Sequence, residues 1–162
     1  MGLFGKNKIA ANDAINGTFG RVFINGHKFA NIKSFEAKLT LEYEEIDIAE
    51  DAGKHQKFMG YAGEGTMVFH KVDSSILAMM KDELKAGRVP EIMIVGALED
   101  PSKIGAERIQ FNEVTLDELT LLKFEMKTVG EEEVPFKFAD FEPLDLIAYG
   151  EEIGKRKINK SD

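Results

Sequence analysis

Between Ser34 and Glu44 the chain alternates without a break. Phe35, Ala37, Leu39, Leu41 and Tyr43 are apolar or aromatic, whereas Ser34, Glu36, Lys38, Thr40, Glu42 and Glu44 are polar. Successive side chains of a β-strand point to opposite faces. A period of two therefore demands a strand with one face for a core and one face for charge. A helix, with its period of 3.6, would scatter the same residues around its axis. The run is about twice the usual strand length of five or six residues. Strands this long suit barrels and extended ribbons better than small sandwiches.

The flanking sequence extends the β pattern. Upstream, Asn25-Gly26 separates Arg21-Val22-Phe23-Ile24 from His27-Lys28-Phe29. Asn-Gly accepts the positive φ angles of a type I′ turn, so a hairpin is expected, with its second strand running on into the long alternation. Residues Ile48 to Gly60 lose the alternation and read as a long loop, a class of segment that is functional or mobile. Tyr61 to Val72 reads as a strand with a glycine-rich start at Gly63 and Gly65. Glycine inside a strand marks a bulge or a close approach of another chain segment.

One segment has helical period. In Asp73 to Lys85, Ile76, Met80 and Leu84 fall four apart with Leu77 beside them. They form one apolar stripe for packing on the sheet. Asp73 or Ser74 is placed to cap the first turn, Gly87 to end the helix, and Pro90 follows. After it, Glu91 to Leu98 is apolar on both faces, as in a central strand covered on one side by the helix.

The last third returns to strands. Asp100-Pro101-Ser102 reads as a turn. Alternation follows in Arg108 to Val114, with Ile109 and Phe111 on one face, and again in Leu119 to Val129, with Leu122, Phe124 and Met126 on one face. Glu131-Glu132-Glu133 reads as a solvated acidic turn. Val134, Phe136 and Phe138 form the final alternating set, with Pro135 on an edge or an outward-bonding side because it lacks an N–H. The expected architecture is mainly β with one α-helix: about seven antiparallel strands in a β-sandwich or partial barrel, the helix packed on one side. Residues 1–17 read as an N-terminal arm, 18–149 as the β domain, and 150–162 as a polar tail with Lys155, Arg156, Lys157 and Lys160.

Charge and composition narrow the function. The formal net charge is −8, which argues against a surface that grips nucleic-acid phosphates. It is compatible with a surface that DNA passes without sticking, because like charges repel. There are no cysteines, so disulfides and thiolate metal sites are excluded. The N-terminus lacks the apolar stretch of a signal peptide. No run is long enough for a membrane-spanning helix, so no membrane anchor is expected.

The sequence carries no recognisable catalytic constellation. His27, His55 and His70 lie one per element, without metal-ligand spacing. Ser74 and Ser75 sit at a helix start with no nucleophile elbow around them. Gly60, Gly63 and Gly65 lead into a strand, whereas a phosphate-cradling loop leads into a helix. Asp47, Glu50 and Asp51 lack the spacing and glycine of a calcium loop. No catalytic residue, metal site or cofactor is expected, and the chain reads as a building block.

Three stretches together resemble a known family: YAGEGTMVFHKVDSS leading into the Met79-Met80 helix, PEIMIVGALEDPSKIGAERIQFNEV after it, and EEEVPFKFADFEPLDLI at the close. With the Asn-Gly hairpin they resemble the tail tube proteins of phage-type contractile tails, in the group found in defective prophages of Gram-positive bacteria and in R-type bacteriocins. The resemblance spans about Asn16 to Ile147. The tail after Gly150 has no counterpart in it.

That resemblance implies a structural protein of a virion or tailocin, made in the bacterial cytoplasm. It implies six-membered rings that stack into a hollow tube, with strands of neighbouring copies joined edge to edge around the lumen. The partners it implies are other copies of the chain, a sheath, a baseplate and a tail terminator. DNA would pass through without specific binding. The long strand supplies candidate lumen residues Glu36, Lys38, Glu42 and Glu44. The segment read as a loop supplies candidate subunit contacts Glu50, Asp51, His55, Lys57, Phe58 and Met59. A tube component of a type VI-like injection machine would share these features. A monomeric ligand-binding β-barrel would instead require an apolar pocket with convergent polar groups.

Overall fold

The computed structural model describes residues 16–99 and 106–147. The Asp100-Pro101-Ser102 turn, most of the N-terminal arm and the basic tail lie outside the described residues. Within them eight strands and one α-helix follow one another: β1 (Gly20–Ile24), β2 (His27–Lys28), β3 (Ile32–Asp47), β4 (Lys54–His70), α1 (Ser75–Lys85), β5 (Ile92–Leu98), β6 (Glu107–Leu116), β7 (Glu131–Phe138) and β8 (Asp140–Asp145). Among the described residues every strand pair is antiparallel, in the order β2-β1-β5-β6-β7-β4-β3, with β8 added beside β6.

Strand β6 belongs to both layers. Residues 107–114 pair with β5 and residues 108–112 with β8, whereas its last two, Thr115 and Leu116, pair with Lys137 and Phe136 of β7. One continuous sheet thereby folds over itself into an open sandwich. The bend lies at Glu113, whose φ is +51°. There the register with β5 also slips, between Ile92 and Ile94. An extra residue in one strand bends it in this way.

The Asn25-Gly26 hairpin is present, with φ of +50° and +82° as a type I′ turn requires. Its second strand does not run on. Strand β2 ends at Lys28, and after a turn at Ala30-Asn31 the chain enters β3, which pairs with β4 and not with β1. Asn31 fastens this crossing. Its amide donates to the His70 carbonyl at 2.8 Å, and its carbonyl accepts from the His70 N–H at 2.8 Å.

The core lies between the layers. Val22 and Ile24 of β1, Met67 and Phe69 of β4, Ile92 and Ile94 of β5, Phe111 and Val114 of β6, and Val134, Phe136 and Phe138 of β7 are buried, and Ile76 and Met80 of α1 join them. Phe111 and Phe138 pack with ring centroids 4.8 Å apart, and Phe35 stacks on Phe136 at 5.8 Å. The rings of Phe136 and Phe138 lie directly over Gly65 and Gly63, with no room for a Cβ at either glycine. This is the close approach that glycine within a strand pattern predicts.

The helix begins at Ser75, with Ser74 at the N-cap making no side-chain cap bond and Asp73 bonded to Ser75 from just before it. The Asp73 carboxylate accepts from both the hydroxyl and the backbone N–H of Ser75. These two bonds, the hydroxyl one the larger effect, hold its carboxyl below the usual carboxylate range. Glu131 is held low in the same direction, chiefly by the Lys33 ammonium. A depressed folded-state pKa contributes stability that is present above the unfolded value and lost as pH falls through the folded one. Melting temperature is therefore expected to fall as pH drops from neutral to about 3. In thermal melts, the double variant D73N/E131Q should show a shallower acid limb than the parent.

Of the predicted stripe, Ile76 and Met80 are buried and Leu77 is half-buried, but Leu84 is 44% exposed. Met79 packs against the core in its place. The contact row follows Ile76, Met79 and Met80, and the last turn leaves Leu84 in solvent.

Candidate assembly surface

Strands β3 and β4 continue well past the sandwich. Strand β4 pairs with β7 only from Gly63 to His70, while its ladder with β3 continues out to Asp47↔Lys54. Residues 40–47 and 54–62 thus form a two-stranded ribbon with which no other described strand pairs, though the Tyr61 ring at its base packs on Phe141 of β8 at 6.0 Å. Its outer residues are apolar to an unusual degree. Leu41, Tyr43, Ile46, Phe58, Met59 and Tyr61 are all exposed. A two-stranded ribbon is marginal in water by itself, and soluble monomers rarely expose contiguous apolar patches of this kind.

The segment expected to be a loop from Ile48 to Gly60 is mostly strand. The loop proper is six residues, 48–53, and Lys54 onward belongs to β4. Alternation is hidden there for two reasons. Both faces of the ribbon are solvated, and Met59 is an extra residue between the pairs Tyr43↔Phe58 and Glu42↔Gly60. This bulge, with Gly60 at φ +146°, shifts the period by one. Of the candidate contact residues, Glu50 and Asp51 sit at the ribbon tip, whereas His55, Lys57, Phe58 and Met59 lie along β4. Asp51 orders the tip. Its carboxylate accepts from the Gly53 N–H at 2.9 Å and lies 2.8 Å from His55 Nε2, and these bonds, Gly53 first, hold its carboxyl low.

Glu36, Lys38, Glu42 and Glu44 come together on one face of the β3-β4-β7 layer, all exposed. Cross-strand pairing sets Glu64 beside Lys38 and Lys57 beside Glu44, and brings Lys137 next to Glu64. The Lys38 ammonium lies 3.5 Å from the Glu64 carboxylate. The opposite face of the same layer carries Phe35, Ala37 and Leu39 against the core.

Glu131, Glu132 and Glu133 do not form a turn; they open β7, opposite His70, Phe69 and Val68. Glu132 is only 5% exposed, on the same face as Val134 and Phe136, with Lys71 Nζ at 3.4 Å. Cations from distant segments, Lys33 for Glu131 and Lys71 for Glu132, make strand geometry tolerable for three adjacent acids. Leu119 to Val129 is not a strand. The β6–β7 ladder stops where the Asp117 N–H reaches the Pro135 carbonyl at 2.9 Å, because Pro135 has no N–H to return. Residues 117–130 then leave the ladder, with Leu119 still packed against the core, a turn at Glu125–Thr128 and Lys127 at φ +62°. The sequence reading also missed β8, whose Pro143 and run of acids hide its pairing with β6.

A cleft of about 840 Å³ opens between the layers, lined by Val22, Ile32, Phe35, Ala97, Ile109 and Phe111 with other residues at its rim. Its rim cations are already engaged, Arg21 with Glu99 and Lys33 with Glu131. Among the described residues no group of three or more His, Cys, Asp or Glu is placed to hold a metal ion, and no helix is long and apolar enough to cross a membrane.

Residues 7–145 match the family described as phage tail tube protein. The chain belongs to that family. It is 34% identical over 136 residues to phage-like element PBSX protein XkdM of Bacillus subtilis (strain 168), a match covering 83% of this chain and 92% of the relative. Solved tube-type structures share the fold at low identity. The cap of the anti-feeding prophage tube superposes with a TM-score of 0.69 at 10% identity, covering 91% of this chain and all of that one. The SPP1 tail tube superposes with a TM-score of 0.60 at 10% identity, over 83% of this chain and 81% of the other. The tail tube protein described here shares its fold with these structures; its described residues are mostly β, antiparallel, with one α-helix.

Proposed function

We propose that copies of this chain join head to tail through their sheet borders into rings, and that the rings stack into the hollow inner tube of a contractile tail. The observation that carries this reading is the β3–β4 ribbon. It projects from the sandwich with a free backbone edge and an exposed apolar row. Free edges invite pairing with another chain, and natural proteins protect or use them. An identical neighbour satisfies both the edge and the row. In the virion or particle, the tube would meet sheath, baseplate and terminator proteins, and it has no catalytic task.

The charged face of β3 is the candidate lumen wall. Glu36, Glu42 and Glu44, with Lys38 among them, would present an acidic lining that repels phosphates and lets DNA slide through without adhering. Reversing the three acids in E36K/E42K/E44K is expected to produce particles that retain DNA at low salt and release it as salt rises, read in a filter-binding assay. Retention independent of salt, or none at all, would place these side chains elsewhere.

Electron microscopy of the purified protein across a concentration series tests the reading itself. Rings or tubes with a central channel are expected. A protein that stays near 18.1 kDa at every concentration, and alongside other tail components, would overturn it.

A further inference from the structure

The dipeptide Asn-Gly occurs twice in the chain, each time after isoleucine: Ile15-Asn16-Gly17 and Ile24-Asn25-Gly26. It is the favoured pair for a type I′ turn. It is also chemically fragile, because glycine has no side chain to shield its backbone nitrogen from the neighbouring carboxamide. Asparagine is a thermolabile residue in this sense.

The fold gives the second of these asparagines a task. The last backbone pair of the β1–β5 ladder is Ile24↔Ile94. Asn25 stands opposite Met93 one step beyond, and its backbone N–H donates to the Met93 carbonyl at 2.9 Å. The turn begins there, with φ +50°, and the side chain completes the ladder in place of the backbone. Its Oδ1 accepts from the Met93 N–H at 2.9 Å, and its Nδ2 donates to the Glu91 carbonyl at 3.3 Å. Both ends of the carboxamide are thus tied to the chain across from it, although the residue is exposed.

We infer that Asn25 is a latent modification site, held unreacted by these two bonds while the β1–β2 hairpin is docked on β5, and converted to aspartate or isoaspartate with loss of ammonia when the hairpin lifts. The Gly26 backbone nitrogen attacks Asn25 Cγ. The new N–C bond forms as the Cγ–Nδ2 bond breaks, and the Gly26 amide proton leaves with the nitrogen as ammonia. Water then opens the cyclic imide at either carbonyl, so water is the only co-reactant. In the docked hairpin the carboxamide cannot swing to Gly26 without giving up both of its hydrogen bonds.

Either product removes the clasp. Aspartate has no N–H for the Glu91 carbonyl and sets a charged oxygen against it. Isoaspartate also lengthens the main chain by a methylene and disturbs the Ile24↔His27 register. Val22 and Ile24 of the same hairpin are core residues. The reaction does not reverse, so a chain that spends time with its hairpin undocked is permanently marked in an element the sandwich needs. The inference concerns the protomer and stands whether or not copies assemble.

The test uses the full chain. Folded protein and protein held in denaturant are incubated at mildly alkaline pH in heavy-oxygen water and digested with trypsin, and the peptide Val22–Lys28 is read by mass spectrometry. Conversion at Asn25 should be at least about tenfold slower in the folded protein, because two cross-strand hydrogen bonds leave only a small open fraction. Asn16-Gly17, in a different tryptic peptide, serves as the reference for the chemistry in the denatured sample. Equal rates at Asn25 in the two samples overturn the inference. N25G tests the clasp itself. Glycine keeps the positive φ of the turn and removes only the carboxamide, so the melting temperature should fall by a few degrees. N25D, one of the two products, should melt at or below N25G. Either variant melting with the parent would mean that the carboxamide fastens nothing, and would equally overturn the assignment.

Discussion

Phe136→Ala is expected to lower protomer stability by about 3–5 kcal/mol. Its ring is fully buried, stacks on Phe35, and also contacts Phe111 and Phe138. It touches residues of β3, β6 and β7, so removing it opens a cavity at the point where the layers meet. Gly65→Ala approaches the same site from the other side. The added methyl would run into the Phe136 ring and the Glu36 carbonyl. Overpacking of this kind costs about 1–3 kcal/mol, and more when backbone is in the way. The two changes should be less than additive, because the alanine at 136 removes one of the two obstacles. Denaturant titration of the two single variants and the double variant measures this. Full additivity would mean that the ring and the glycine do not share the contact.

Removing the ribbon should have the larger functional effect. If residues 42–60 are replaced by Asn-Gly, so that Leu41 turns directly into Tyr61, the protomer should fold with little loss of stability and should form no tubes. No side chain of the buried core lies beyond Phe35 on β3 or before Met67 on β4, and only Ala37 and Leu39 of β3 pack against it further out. The core therefore does not depend on the deleted residues. Leu41↔Tyr61 is already a cross-strand pair, and Asn-Gly is a turn that closes such a pair. Circular dichroism and a thermal melt report the fold, and negative-stain microscopy reports the tubes. Normal tubes from this variant would show that assembly runs through other surfaces. An unfolded variant would show that the ribbon stabilises the protomer itself.

What was legible in the sequence follows one physical rule. Where a segment has one dry face and one wet face within the protomer, its period is clean. Phe35 to Tyr43, Val134 to Phe138 and the Ile76–Met80 turn of the helix were all readable for this reason. Lys54 to Gly60 was not, because both faces of the ribbon meet water and the Met59 bulge breaks the count. Leu119 to Val129 failed in the opposite way. Its period is that of a strand, but Pro135 denies it a ladder within its own chain. Glu132 was misread because Lys71, sixty-one positions away, neutralises it, and no local pattern carries that information.

The amino-acid sequence alone determined the β class, the Asn-Gly hairpin, the single helix and the strands whose faces differ in polarity. These depend on neighbours a few positions apart. Only the tertiary structure decided that β3 turns away from β1 to pair with β4, that β6 serves two layers, and that the outer edge of β3 has no partner strand among the described residues. Those outcomes depend on backbone groups that are chemically alike at every residue, so which edge finds a partner is settled by the folded geometry and not by side-chain identity.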